Sequence, residues 1–335
     1  MSVDVRTAAP GPRPGPKRDS RPPSRGHGSP APIRHETGWS IGDRIGLVAA
    51  WCCGISLCVV AAAIVLFMAA KGLQFLHLDM LTSSPQASLD QSQTGGFLDP
   101  LEGTLLLTII GIVIAVPVGV AIAVWLTEYG RPSGLARLVE SGVEIVAGTP
   151  SIVLAIFGLL VFQQSFMGFL SFTAEGGAVF GRSFIVAGIM MALIALPLVI
   201  GSTREALNTI PRHVREASYA LGKDKASTIR RVLLPSARSG IATGATLGMG
   251  RICGDTAIVV ILLGASMQTT PESGPFGLLR GTGSTLTSYV YNNSPAGEGN
   301  APEKAYAAAF VLLIIVILLN FVVGLIGKRN KPQWN

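Results

Sequence analysis

Long runs without a formal charge dominate the chain. Residues 45–70, 103–127, 145–174, 183–203 and 305–327 contain no Asp, Glu, Lys or Arg. Each is long enough for the roughly 20 apolar residues that a helix needs to cross a hydrocarbon core of about 30 Å. A sixth apolar segment, 239–271, is interrupted only by Arg251 and Asp255. The pattern predicts an all-α membrane protein with six transmembrane helices, over about 45–70, 104–127, 145–164, 183–203, 240–264 and 305–327. Apolarity that is continuous rather than alternating argues against a β-barrel.

Charge then orients the spans. Only 13% of the 335 residues are charged and 49% are hydrophobic, which argues against a water-soluble enzyme, since soluble domains are about 25% charged. With the N-terminus on the cytoplasmic side, the inner segments carry 21 of the 26 Lys and Arg residues and the outer loops carry 4. Basic residues concentrate on the cytoplasmic face of membrane proteins. The expectation is a multi-pass protein of a bacterial plasma membrane with both termini inside. Residues 1–40 hold eight of the 21 prolines among Arg, Lys, Gly and Ser, so this tail cannot bury a core and is expected to be disordered. The permease body would be 41–327 and a second cytoplasmic tail 328–335. Cys52, Cys53, Cys58 and Cys253 all lie in apolar segments, where cysteine behaves as a small hydrophobe; no metal site is expected.

The inner loop 204–238 is the most informative polar stretch. After Pro211, Val214, Ala217 and Leu221 make a short amphipathic run, and Gly222 breaks it. A second run puts Ile229, Val232 and Leu233 on one face and is expected to end at Pro235. Glycine between two short helices permits a sharp bend, and such an elbow at a membrane surface is a lever for a docked partner. The spacing Glu216-Ala217-Ser218, three residues, Gly222, nine residues, then Val232-Leu233-Leu234-Pro235 resembles the EAA signature of permease subunits in ATP-binding-cassette (ABC) importers. Ser218 and Val232 depart mildly from that pattern. The resemblance implies a type I importer permease fold, and makes this loop the element that couples to a separate ATPase, through Glu216, Ala217, Gly222, Leu234 and Pro235.

The stretches 103–130, 146–162 and 247–257 resemble the phosphate-specific permeases of the PstA/PstC family. Glu128-Tyr129-Gly130 and the run 305–320 look closer to PstA. The resemblance implies a permease of a high-affinity phosphate importer, working with a homologous PstC-like permease, two PstB-like ATPase subunits and an external PstS-like phosphate-binding protein. ATP and Mg would be bound by the ATPase, with no cofactor in this chain, which has no GxxxxGK[ST] phosphate loop and no hydrolase motif. A sibling importer for sulfate, molybdate or an osmolyte stays open, as does a membrane phosphate sensor or scaffold.

Arg251 and Asp255 fall four residues apart, so one continuous helix would put them on a shared face. Ionisable residues at such depth usually face a bundle interior or a wet cavity. One reading is an internal ion pair that fixes packing. The other is an anion path in which the guanidinium fork donates paired hydrogen bonds to an oxyanion, Asp255 orients it and Thr256 adds a hydroxyl. The phosphate permeases usually carry Glu where this chain has Asp255, one methylene shorter. Pro117, Pro150 and Pro197 are expected to kink their spans, Thr149 and Ser151 either cap a helix or line the path, and Gly240, Gly244, Gly248 and Gly250 are expected to let helices approach closely.

Overall fold

The computed structural model describes residues 41–86, 95–130, 133–171, 180–264, 269, 276–295 and 301–328; the expected tails 1–40 and 329–335 lie outside them. The chain divides into two units, 1–59 and 60–335. Helix α1 (Ile41–Phe75) runs across that boundary. The second unit holds α2 (Leu98–Val124), α3 (Gly134–Gly148), α4 (Ser151–Phe162), α5 (Phe184–Asn208), α6 (Arg212–Ala220), α7 (Lys225–Thr228), α8 (Arg238–Gly254), α9 (Ala257–Leu262), α10 (Leu286–Asn293) and α11 (Pro302–Lys328). A π-turn, Trp125–Tyr129, prolongs α2, and another, Ile229–Leu233, follows α7. No β-strand occurs among the described residues.

Four helices are long and apolar enough to cross a membrane unaided: Ile41–Phe75, Leu98–Tyr129, Phe184–Asn208 and Pro302–Gly327. The two other expected spans are not single helices. The segment expected at 145–164 is split at Thr149–Pro150, where α3 and α4 meet at 109°. Proline keeps the residue before it out of the helical region, and Thr149 is accordingly extended at φ −80°, ψ 130°. The Thr149 hydroxyl turns back to the Ile145 carbonyl at 2.7 Å, and no side chain caps the start of α4. The segment expected at 240–264 is broken between α8 and α9 at Asp255 and Thr256. Pro117 and Pro197, by contrast, lie inside unbroken helices.

Helix α5 is the core. Of its most apolar window 61% is buried, against 28% for α2 and 6% for α11, so α11 turns most of its apolar surface outward. Phe184, Met191 and Ala195 of α5 pack with Leu107 and Ala115 of α2, Ile252 of α8 and Leu262 of α9. Lipid tails are as apolar as leucine, so close packing of small residues, not hydrophobicity, must hold such helices together. Helix α8 meets this need at Gly240, Gly244 and Gly248. A Cβ on Gly244 would come within 3.0 Å of Val199 Cα, and one on Gly240 would collide with Ala206. Gly250 has nothing within 4 Å of its Cβ position among the described residues, so it makes no such approach within this chain.

Among the described residues, the connection after α1 and the segment before α11 pack against the N-terminal end of α2. Helix α10 is fixed by the Leu286 N–H donating to Thr104 Oγ1 at 2.8 Å, and Leu286 and Tyr289 pack on Phe97, Ala307 and Ala308. Asp99, in the first turn of α2, accepts from Ser84 Oγ at 2.9 Å and from the Thr269 N–H at 3.0 Å. The N-terminal end of α2 therefore organises three sequence-distant segments.

Candidate functional site

Helix α5 stops short of Pro211, whose fixed φ and missing N–H suit a helix boundary, and Pro211 sits at the N-cap of α6. At the other end of α6, Gly222 has φ +73°. Its N–H donates to the Tyr219 carbonyl at 2.9 Å, and the Lys223 N–H reaches the Ser218 carbonyl at 3.2 Å. This pair of bonds is a Schellman motif, in which glycine supplies the left-handed residue just past the helix. Nothing lies within 4 Å of a Cβ built on Gly222, so backbone conformation, not space, requires glycine there. Ser218 and Thr228, both buried, share a hydrogen bond of 2.9 Å across the bend. The departure from Ala at position 218 thus has a function: its hydroxyl closes the elbow.

The elbow presents Glu216, Ala217, Leu221 and Gly222 to solvent, with Leu221 81% exposed. Leu234 is half-buried and packs with Leu207, Ile229 and Leu233 at the root of the elbow, and Pro235 is half-buried beside it in sequence. Of the five expected coupling residues, three share the exposed tip and two belong to its base. Pro235 does not end the second run as expected. It has no N–H to give the Arg231 carbonyl, yet the chain remains helical through Leu234–Ser236 behind the π-turn and passes through Ala237 into α8.

The elbow is fastened to the C-terminal end of α2 by residues that spacing did not single out for coupling. Arg215 Nε donates to Glu128 Oε1 at 3.1 Å, and the other two guanidinium nitrogens donate to the carbonyls of Ile210 at 2.7 Å and Leu207 at 2.9 Å. The side chains of this pair are only 19% and 8% exposed, so the three bonds compensate a largely desolvated guanidinium. The Lys225 ammonium donates to the Glu128 carbonyl and stands 4.3 Å from the Tyr129 ring centroid, within cation–π range. One clamp therefore joins the end of α2, the end of α5 and both arms of the elbow. A second ion pair, Arg204–Glu140, ties α5 to α3.

The second expected site is arranged differently from its expectation. Helix α8 ends at Gly254, and Asp255 is extended at φ −83°, ψ 122°, so Arg251 and Asp255 do not continue one helical face. Asp255 is buried, and its Oδ1 accepts the Ile258 N–H at 2.9 Å. It satisfies one of the free donors at the start of α9, as an N-terminal capping carboxylate does. The Cys253 carbonyl, freed by the break, accepts from Thr287 Oγ1 at 2.8 Å, and the Cys253 thiol lies 3.2 Å from the Thr108 hydroxyl. Arg251 is exposed, and among the described residues it forms no ion pair with Asp255. Thr256 is half-buried in the break itself. The break thus separates a structural carboxylate from an available guanidinium.

Residues 115–333 match the family described as "Binding-protein-dependent transport system inner membrane component". The phosphate transport system permease protein PstC of Mycobacterium leprae is 32% identical over 285 residues, covering 80% of this chain and 88% of that protein. The phosphate transport system permease protein PstA 1 of Mycobacterium tuberculosis is 33% identical over 251 residues, covering 73% and 75%. Identity thus differs by one percentage point between the two kinds of permease, and the expected leaning toward PstA finds no separate support in it. Among solved structures, a bacterial alginate ABC transporter in complex with an alginate pentasaccharide-bound periplasmic protein aligns with a TM-score of 0.59 over 88% of this chain and 97% of that one, at 13% identity. That likeness concerns the fold.

Proposed function

Because the chain belongs to the family of inner membrane components of binding-protein-dependent transport systems, we propose that it is a permease subunit of an ATP-driven importer of inorganic phosphate. The observation that carries the solute is the match, over most of the chain, to relatives of both kinds that are named for phosphate transport. The elbow supports the energy coupling. It is an exposed, rigidly turned tip on a basic loop, and it is clamped to the ends of two long apolar helices. In this reading a homologous permease completes the translocation path, two cytoplasmic ATPase subunits bind ATP and Mg and receive the elbows, and an external phosphate-binding protein delivers the solute. Six crossings with both termini cytoplasmic agree with the excess of basic residues on the inner segments.

The chain's own residues supply two parts of the mechanism. Closure of the ATPase pair would push on Glu216, Ala217 and Leu221 at the tip. Arg215 and Lys225 then pass that displacement to Glu128 and Tyr129, so α2 and α5 move with the elbow. Arg251 would guide phosphate, since its planar fork offers paired donors to an oxyanion. Asp255 serves this indirectly, by fixing the break that leaves Arg251 available; Thr256, within that break, is the other expected pathway residue.

Uptake of labelled phosphate by cells depending on this chain for high-affinity transport tests the reading. Uptake should vanish on deletion, return with the intact chain, and resist excess sulfate or molybdate. Uptake that excess sulfate abolishes would assign the chain to a sibling importer, and uptake unchanged by deletion would leave it no transport role.

A further inference from the structure

A cleft of about 740 Å³ lies between α2, α8 and α11, and among the described residues neither the clamp residues Glu128, Arg215 and Lys225 nor Asp255 and Thr256 of the α8–α9 break line it. Its volume is that of a small-molecule site, about 300–1,000 Å³. Val113 and Pro117 of α2 form one wall, Ile326 of α11 the opposite wall and Ala245 of α8 the floor. Val113 and Ile326 are 64% and 68% exposed, so the cleft opens outward from the bundle. Gly327 seats against Ala242, which joins α11 to α8 along the floor.

Arg238, the first residue of α8, is the only charged residue among the described residues that line the cleft. It is exposed, and the ion pairs among the described residues, Arg204–Glu140 and Arg215–Glu128, leave it without a carboxylate. From Arg238 to Ala245 the floor runs about 10 Å at 1.5 Å per residue. A guanidinium thus stands at one end of an apolar trough two helical turns long. Free phosphate matches the guanidinium but gains nothing from the walls, and an uncharged apolar segment matches the walls but leaves the cation unpaired. An anionic phospholipid matches both: its phosphate can take the guanidinium fork while an acyl chain lies along Val113, Ala245 and Ile326. Basic pockets between membrane helices on the cytoplasmic side bind anionic headgroups in this manner.

We propose that this cleft is a specific site for one anionic phospholipid of the inner leaflet, held by Arg238. The site rests on the cytoplasmic placement of Arg238 in the reading above, but not on the solute carried. The test is native mass spectrometry of the full-length chain in nanodiscs that contain phosphatidylglycerol and phosphatidylcholine in equal amounts. One phosphatidylglycerol should stay bound per chain. Arg238→Ala should weaken its retention about fivefold, the effect of about one basic side chain at an anionic surface. Arg238→Lys should restore most of it, which separates charge from misfolding. Ala245→Phe should displace the lipid with Arg238 still present. Equal retention of the two lipids would overturn the proposal. So would unchanged retention in Arg238→Ala, displacement by millimolar inorganic phosphate, or loss of a co-purifying permease instead of lipid in Ala245→Phe. Phosphate uptake by the same variants reports separately on the transport reading.

Discussion

At the residue scale, Arg251 and Asp255 show how one backbone break divides a motif into a capping carboxylate and an exposed guanidinium. A carboxylate that caps α9 can be replaced by another short acceptor, whereas a guanidinium in the proposed oxyanion role is only partly replaced by a point charge of different geometry. Asp255→Asn keeps an acceptor for the Ile258 N–H and should leave uptake and melting temperature close to those of the intact chain. Asp255→Ala should cost about 1 kcal/mol of stability, as loss of a helix cap does, readable as a lower melting temperature in detergent. Arg251→Ala should abolish phosphate uptake at unchanged melting temperature, with Arg251→Lys in between. Full uptake by Arg251→Ala would return the residue to packing. The spacing of this pair was legible in the sequence, but its meaning was not. Arg and Asp four apart read as one helical face in any unbroken helix, and the contrary signal was only a short polar pair, Asp255-Thr256, ahead of an apolar run, which is a helix-start pattern.

At the scale of elements, the elbow was legible because its key requirement leaves a mark in the sequence. A left-handed residue past a helix end calls for glycine, and the structure has φ +73° at Gly222. Gly222→Val should cost about 1–2 kcal/mol through the left-handed backbone alone. The tip would be distorted, and ATP hydrolysis by the assembled complex should persist while phosphate uptake falls. Gly222→Asn should be milder, since Asn tolerates that conformation. The clamp was not legible, because Glu128 and Arg215 lie 87 residues apart and no periodicity brings such positions together. Arg215→Ala should destabilise by about 3 kcal/mol, the lower end for breaking a buried pair, and should also uncouple hydrolysis from uptake. A variant that melts earlier but keeps its ratio of phosphate imported to ATP hydrolysed would make the clamp purely structural. The break at Pro150 was half-legible: a proline within a span announces a kink, but the 109° turn depends on an amphipathic helix preceding it.

At the scale of the whole molecule, apolar run length gave the class of protein, and it over-counted continuous spans where packing divides them. Among the described residues four helices are long and apolar enough to cross unaided, while the two other expected spans are each split into two helices. Irregular backbone at membrane depth is tolerated only where protein or a wet cavity satisfies it. At the α8–α9 break Asp255 and Thr287 supply that satisfaction from within the chain. The charge asymmetry fits the same picture, since the basic surplus gathers on the side that carries the elbow.

In the function proposed above, this chain imports phosphate by transmitting ATP-driven motion through the elbow. The most direct measurement places the full-length chain with its partner permease, ATPase subunits and phosphate-binding protein in sealed vesicles, and follows ATP hydrolysis and labelled phosphate together, for the intact chain and for Gly222→Val. The account predicts ATP-dependent phosphate accumulation by the intact complex, and hydrolysis without accumulation by the variant. Absence of phosphate transport by the intact complex, or equal transport by Gly222→Val, would contradict it.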